Sequence, residues 1–334
     1  MASSLSSSIV LRPWRRGKYS EQAIRYMTSS KAVNTIRAYQ SDWDDFSYWC
    51  RHHGYMELPA TPETLVEYFS YLADFIKANT VSRKATAISE AHKAAGYPSP
   101  TLSADVRMTL QGIRKSKGTF QQGKLPVMWS DLAQVADVFD PTPLGIRNRA
   151  LILFGFAGAF RRSELVALDV EDLTFFPEGV KVFLGRAKND PDGKGQYKGI
   201  SYRRQRPEVC PVRAIKAWLD ISGITSGPLF RSLTKNGGIR QQRLSDKAVA
   251  RTVKEFAERT GADPQRYAGH SLRRGFATSA ALAGARERHI MKQTGHHSDK
   301  MVRRYIEESE IFSFDNMALM EKADGARKGS DDYE

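Results

Sequence analysis

Cysteine is nearly missing: the 334-residue sequence holds two, Cys50 and Cys210, far apart along the chain. Two such thiols make neither a disulfide framework nor a metal quartet, and they suit a reducing cytosol. Any apolar run long enough to cross a bilayer is also lacking, and no signal-peptide hydrophobic stretch follows the basic start. That start, "MASSLSSSIVLRPWRRGKYS", has no acid before Glu21, a composition shared with organelle transit peptides. Residues 1–19 are read as a disordered basic arm. No internal repeat is visible. Acidic residues are in short supply: 37 Asp plus Glu face 51 Lys plus Arg, leaving +14. The shortfall is spread evenly, because residues 1–127 carry 17 basic and 10 acidic side chains, so each half holds +7. A basic surface on both halves suits a long polyanion, whose neutralisation releases counterions, better than a membrane.

What is present reads as two mainly helical domains, since the length exceeds one ordinary compact domain and 41% apolar content supplies cores for two. In "NTIRAYQSDWDDFSYWCRHHG" the apolar positions Ile36, Tyr39, Trp43, Phe46 and Trp49 recur every three or four residues, and Gly54 can end the helix. Thr61 and Pro62 form a cap and first-turn pair for the next helix. "TVSRKATAISEAHKAAG" predicts a helix with Arg83, Lys84, His92 and Lys93 exposed, closed by Gly96. "SADVRMTLQGIRKSKG" predicts a fourth, ending in Arg114, Lys115 and Lys117. Residues 20–117 are thus expected to form a helical domain (the DNA-clamp domain that the resemblance given below implies), with Arg83, Lys84, Arg114 and Lys115 as candidate DNA-contacting cations. Residues 118–127 are polar and weakly periodic, and are expected to be a linker to a second domain over 128–325. There Ser130 is expected to cap a helix, "GIRNRALILFGFAGAF" to be a buried one, and "VKVFLGRAK" with "KGISYRR" to form a hairpin around the turn-rich "NDPDGKGQ". Cys210-Pro211 opens a further helix and Ser245 caps another. Helical pattern continues to about 307, "IFSFDNMALMEK" gives a short apolar helix, and 326–334 should fray.

Familiar motifs fail on inspection. "DPDG" lacks the later ligands of a calcium loop, and "DGKG" lacks the spacing of a phosphate-binding loop. Gly-His-His at 295–297 has no H-E-x-x-H context, and no carboxylate cluster marks a two-metal nuclease, so metal-free chemistry, with no cofactor, is the starting expectation. Three segments remain, each ordinary alone: "GAFRRSEL" with Arg161 and Glu164, "GHSLRRG" with His270 and Arg273, and "TGHHSDKMVRRYI" with His296 and Tyr305.

In this order and spacing the segments resemble the tyrosine recombinase (phage integrase) family, whose pattern is R…K…H-x-x-R…H/W…Y. Arg161 and Glu164 match its G-x-R-x-S-E-L box and His270 and Arg273 its H-x-x-R box, with Gly275 following. His296 matches its L-G-H position, with Thr294 in place of Leu, and Tyr305 falls at the nucleophile's offset. The likeness covers most of residues 20–325. It implies a largely helical fold with a small antiparallel sheet in the second domain. It further implies a site-specific DNA recombinase acting through a phosphotyrosyl intermediate and a Holliday junction, as a homotetramer on two double-stranded DNA sites, in the cytoplasm beside the nucleoid and without a membrane.

The chemistry suits the residue types. Phosphodiester displacement puts charge on two non-bridging oxygens, which the planar, always-charged forks of Arg161 and Arg273 can meet, while His270 and His296 donate or shuttle protons. Tyr305 would attack phosphorus. Glu164 would orient Arg161 or His270, or act as an acid at a helix start. The leaving 5′-hydroxyl needs an acid, by likeness a hairpin lysine. Lys188 in "GRAKND" matches best, with Lys194 and Lys198 in the same stretch left open. A hairpin telomere resolvase, a nicking-closing enzyme, or a catalytically silent DNA-binding regulator are the alternatives. By likeness the apolar tail is expected to dock on a neighbouring protomer or on its own domain.

Overall fold

A computed structural model describes residues 20–29, 31–119, 123–185 and 195–295, with 303, 317 and 320. The chain divides into two compact units, Met1–Gln122 and Gly123–Glu334. The division falls inside the segment expected to be a linker. The segment 1–19 expected to be a basic arm, Lys188, Lys194, His296, Tyr305 and all but Met317 and Met320 of the tail lie outside the described residues. No described helix is long and apolar enough to cross a membrane.

The first unit is helical: α1 (Glu21–Ser29), α2 (Val33–His53), α3 (Pro62–Phe75), α4 (Ala78–Ala95) and α5 (Ala104–Lys117). Its ends follow local chemistry. Gly54 and Gly96 take the left-handed conformation that closes α2 and α4, and the Thr61 hydroxyl accepts the Thr64 N–H at the start of α3. Trp43, Phe46, Leu65, Tyr68, Phe69, Val81 and Ile88 form the core. Two expectations are corrected here. Lys84 is buried, its ammonium 2.6 Å from Asp45 and 3.3 Å from Asp42, while Arg83 beside it stays exposed and pairs with Asp42. His92 is fully buried, its Nε2 accepting the Ala60 N–H at 2.9 Å and its Nδ1 bonded to the Ile88 carbonyl. The small Ala78, Ala85, Ala87 and Ala91 let α4 come close to its neighbours, so long polar side chains on that face are covered. An ammonium held by two carboxylates is not available to a polyanion, and Lys84 is dropped as a DNA contact.

The second unit comprises α6 (Val135–Val138), α7 (Pro143–Ala157), α8 (Arg162–Ala167), β1 (Leu173–Phe176), β2 (Gly179–Leu184), β3 (Gln196–Ser201), α9 (Pro211–Ser222), β4 (Arg231–Leu233), β5 (Ile239–Arg243), α10 (Asp246–Arg259), α11 (Ser271–Leu282) and α12 (Glu287–Thr294). Here α7 is the central rod, apolar nearly all round, packed against α9 and α11 with Leu151, Ile152, Leu153 and Phe154 fully covered. The expected hairpin exists as β2 and β3, antiparallel, with Val182 opposite Lys198, and β1 adds a third strand on its outer edge. A second ribbon, β4 with β5, has no counterpart in the sequence reading. Ser245 caps α10 as expected. Ser130 caps nothing: Trp129 is already helical, the Asp131 carboxylate accepts the Met128 N–H at 2.7 Å, and the chain turns as a short 3-10 helix before α6. Within the second unit, Val127 is buried and its N–H bonds the Ser271 carbonyl at 3.0 Å. Both cysteines are free and buried.

Candidate active site

Everything at the site is arranged around the turn that leaves α7. Gly158 ends the helix, Ala159 takes φ 45°, and Phe160 folds back so that its ring occupies the space a Cβ on Gly158 would need, 2.0 Å away. A left-handed alanine costs about 1–2 kcal/mol, so the surroundings must hold it. They do so by covering Ala159 and Phe160 and by bonding the carbonyls of Ala157, Gly158 and Ala159. The next residue, Arg161, is the N-cap of α8.

Glu164 serves Arg161 twice. One carboxylate oxygen accepts the Arg161 backbone N–H at 2.9 Å and the other accepts the guanidinium Nη1. The same carboxylate thus contacts the Arg161 side chain and takes up an N–H at the start of α8. The Glu164 side chain is 3% exposed and that of Arg161 12%. Their charge-assisted bond thus lies out of water, where geometry is kept rigidly.

Arg273 arrives from α11. His270 is the N-cap of that helix and is exposed, and Arg273, one turn in, is buried with its Nη1 3.0 Å from the Ala159 carbonyl. Gly275 lets this happen: a Cβ there would stand 1.6 Å from the Val127 carbonyl oxygen, so only glycine admits the segment carrying Val127 against α11. Gly155 similarly lets α7 approach Leu165 and Leu272. At the end of α12, Thr294 is buried with its hydroxyl on the Ile290 carbonyl at 2.7 Å, which explains how a polar residue fits where leucine was expected. Left-handed Gly295 then closes α12, its N–H bonding the Met291 carbonyl.

The lysine the structure brings to this turn is Lys198. On β3 its side chain faces inward, Nζ donating to the Gly158 carbonyl at 2.7 Å and lying 4.8 Å from the Phe160 ring centroid. Burial pushes it down from the ordinary lysine range to about 7; Glu164 opposes the fall, and Arg273 and Arg161 add to it. The strand's own alternation could have found it, because Lys198 and Ile200 share a face and Tyr197, Gly199 and Ser201 point outward. Gln293 of α12 completes the shell, its amide donating to the Ala157 and Gly199 carbonyls at 2.8 and 3.2 Å. Nothing in the sequence pattern singled it out.

The structure thus brings Arg161, Glu164 and Arg273 together and adds Lys198. His270 is the exposed N-cap of the helix that carries Arg273. The neighbouring cations have other employment: Arg162 pairs with Asp246, Arg274 donates to the Lys124 carbonyl and Arg303 pairs with Glu287. On the first unit, Arg83, Arg114 and Lys115 are exposed, and Arg114 also reaches Ser82 on α4.

The model of the phage integrase family matches residues 129–310. The chain is 51% identical over 299 residues to the "Integrase/recombinase xerD homolog" of Selenomonas ruminantium, an alignment covering 88% of this chain and 87% of that protein. It is 25% identical over 297 residues to "Recombinase cre" of Escherichia phage P1, covering 83% and 84%. Among solved structures, the XerH site-specific recombinase bound to a palindromic difH substrate, a post-cleavage complex, superposes with a TM-score of 0.61 at 17% identity, over 90% of this chain and 82% of that one. That last likeness is one of fold.

Proposed function

The chain belongs to the phage integrase family, and on that premise we propose how its residues carry out site-specific recombination of DNA. Tyr305 attacks the scissile phosphorus and forms a 3′-phosphotyrosyl bond, which conserves the energy of the broken linkage for rejoining. Arg161 and Arg273 meet the charge that develops on the non-bridging oxygens, and removing a preorganised donor of this kind costs about 10²–10³ in rate. His270 and His296 assist at the same phosphate. Lys188 protonates the departing 5′-oxygen, and that 5′-hydroxyl, or its counterpart on another duplex, reverses the step. Two such exchanges on paired duplexes pass through a Holliday junction within a homotetramer. Arg83, Arg114 and Lys115 of the helical first unit steady the duplex through its backbone, and the tail beyond residue 310 joins protomers. The work is done in the cytoplasm at the nucleoid.

The observation that carries this reading is the turn after α7, where Arg161, Arg273 and Glu164 meet with their side chains fixed by buried bonds. A lone ion-paired arginine is common; two arginines from separate helices held rigidly beside one buried carboxylate make an anion site. The test starts from a duplex recovered by selection from random DNA. The protein is incubated with it, denatured and resolved for covalent adducts. Adducts in the wild type that vanish in Tyr305→Phe are expected. Binding without any adduct would mean a silent DNA-binding regulator, and adducts surviving in Tyr305→Phe would remove Tyr305 as nucleophile.

A further inference from the structure

Three successive carbonyls of the turn after α7 are each held from a different element. Ala157 accepts from Gln293 on α12, Gly158 from Lys198 on β3 and Ala159 from Arg273 on α11, at 2.8, 2.7 and 3.0 Å. They lie at the C-terminal end of α7, where backbone negative partial charge collects, so N–H donors and cations suit them. Lys198 is the member whose burial needs a reason. An ammonium that is 2% exposed forfeits its hydration, and an apolar side chain of similar length would pack on Phe160 without that cost. Its charged neighbours are Arg161 and Glu164 from α8 and Arg273 from α11; across the sheet it faces Val182 of β2, and α12 presents the neutral Gln293. Three cations around one carboxylate leave a surplus of positive charge that an arriving phosphate offsets.

We propose that Lys198 is a positioning residue for the scissile phosphate: from β3 it clamps the Gly158 carbonyl and so fixes the turn that presents Arg161 and Arg273. This rests on the recombinase reading above. The clamp is tightest when the amine is charged, because an ammonium donates more strongly than a neutral amine. In the free protein burial leaves Lys198 near 7, so at slightly alkaline pH most of it is neutral. A phosphodiester docked on the arginines favours the charged form, and Lys198 then takes a proton from buffer as DNA binds, with no bond of the DNA altered.

The experiment uses the full chain carrying Tyr305→Phe, titrated calorimetrically with the selected duplex at pH 7.5 in two buffers of different ionisation enthalpy. The chain with Lys198 should take up roughly half a proton more than the Lys198→Arg and Lys198→Met versions, neither of which titrates there. With Tyr305 restored, Lys198→Met should form adducts on the order of tenfold more slowly at saturating DNA, with duplex affinity about threefold weaker, the counterpart of the half proton. Lys198→Arg should recover part of the rate and lose the decline between pH 7 and 9 that Lys198 produces. Equal proton uptake in all three proteins, or a wild-type rate and pH profile in Lys198→Met, overturns the proposal. If Lys198→Met does not fold, the comparison with Lys198→Arg decides alone. Absence of adducts in the wild type would sink the recombinase reading only, since the proton count judges Lys198 from docking without cleavage.

Discussion

Replacing Glu164 with glutamine should slow DNA cleavage about thirty-fold and leave DNA affinity unchanged or slightly higher. The side chains are nearly equal in volume, so packing around this 3% exposed position survives. What changes is the acceptor count. The carboxylate offers two oxygens, both in use, one on the Arg161 backbone N–H and one on its guanidinium. An amide offers one oxygen and turns an NH2 toward the other donor. One charge-assisted bond is lost at a buried site, worth about 2 kcal/mol. At 1.36 kcal/mol per factor of ten, a loss felt in full at the transition state is about thirty-fold. A second effect runs the other way. Without its carboxylate the cluster of Arg161, Arg273 and Lys198 attracts a phosphate more strongly, but it does so in ground and transition states alike, so the gain falls on affinity and not on rate. Single-turnover adduct formation on a nicked duplex, with affinity from gel shift on the same duplex, separates the two. A Glu164→Gln protein that cleaves within threefold of wild type, or one whose defect lies entirely in binding, would refute the argument.

Two other expectations concern stability. Gly275→Ala sets a methyl 1.6 Å from a backbone oxygen that cannot step aside; the overpacking should cost about 3 kcal/mol and lower the Tm of the second unit by roughly 6–12 °C, with Val127 losing hydrogen-exchange protection. For His92, burial lowers the affinity for a proton below that of an exposed histidine, with the bond to Ile88 opposing. The unfolded chain therefore binds the proton first, and the stability that neutral His92 contributes is lost as pH falls below about 6.5. Urea melts followed by the fluorescence of Trp43, whose ring meets His92 edge-on at 6.2 Å, should show a falling midpoint from pH 7 to 5 and a flatter one in His92→Gln.

Local rules placed most helix ends, because a cap needs only its own few residues. Thr61 with Pro62, Gly54, Gly96 and Ser245 act in the structure as their neighbours dictate. Side chains that are polar yet buried escaped, since burial depends on partners distant in sequence. Lys84 is covered because Asp42 and Asp45 of α2 wait opposite, and three acids within one turn of α2 were a signal that cations must come to them. The ribbon of β4 and β5 escaped for the opposite reason: "RSL" and "IRQQR" are too short and polar to show alternation, and tertiary pairing alone makes them strands. At the site, the order of boxes pointed to Arg161, Glu164, His270 and Arg273, but not to the contacts made on the carbonyls of Gly158 and Ala157 beside them. Those contacts come from Lys198 and Gln293, residues that become site components only once β3 and α12 are folded against α7.

The two sulfurs, set aside as neither staples nor ligands, have a practical consequence. Cys50 is wholly enclosed and its thiol is pushed up to about 12, by burial first and by the carboxylate of Glu57 second; Cys210 is 1% exposed with the Arg203 N–H on its sulfur. Thiolate is the form that reacts with maleimides, and a protonated, enclosed thiol is inert to them. A single cysteine engineered onto the surface would accept a dye selectively in the native protein, so the proposed assembly of protomers on DNA can be tested by fluorescence without first stripping the natural sequence.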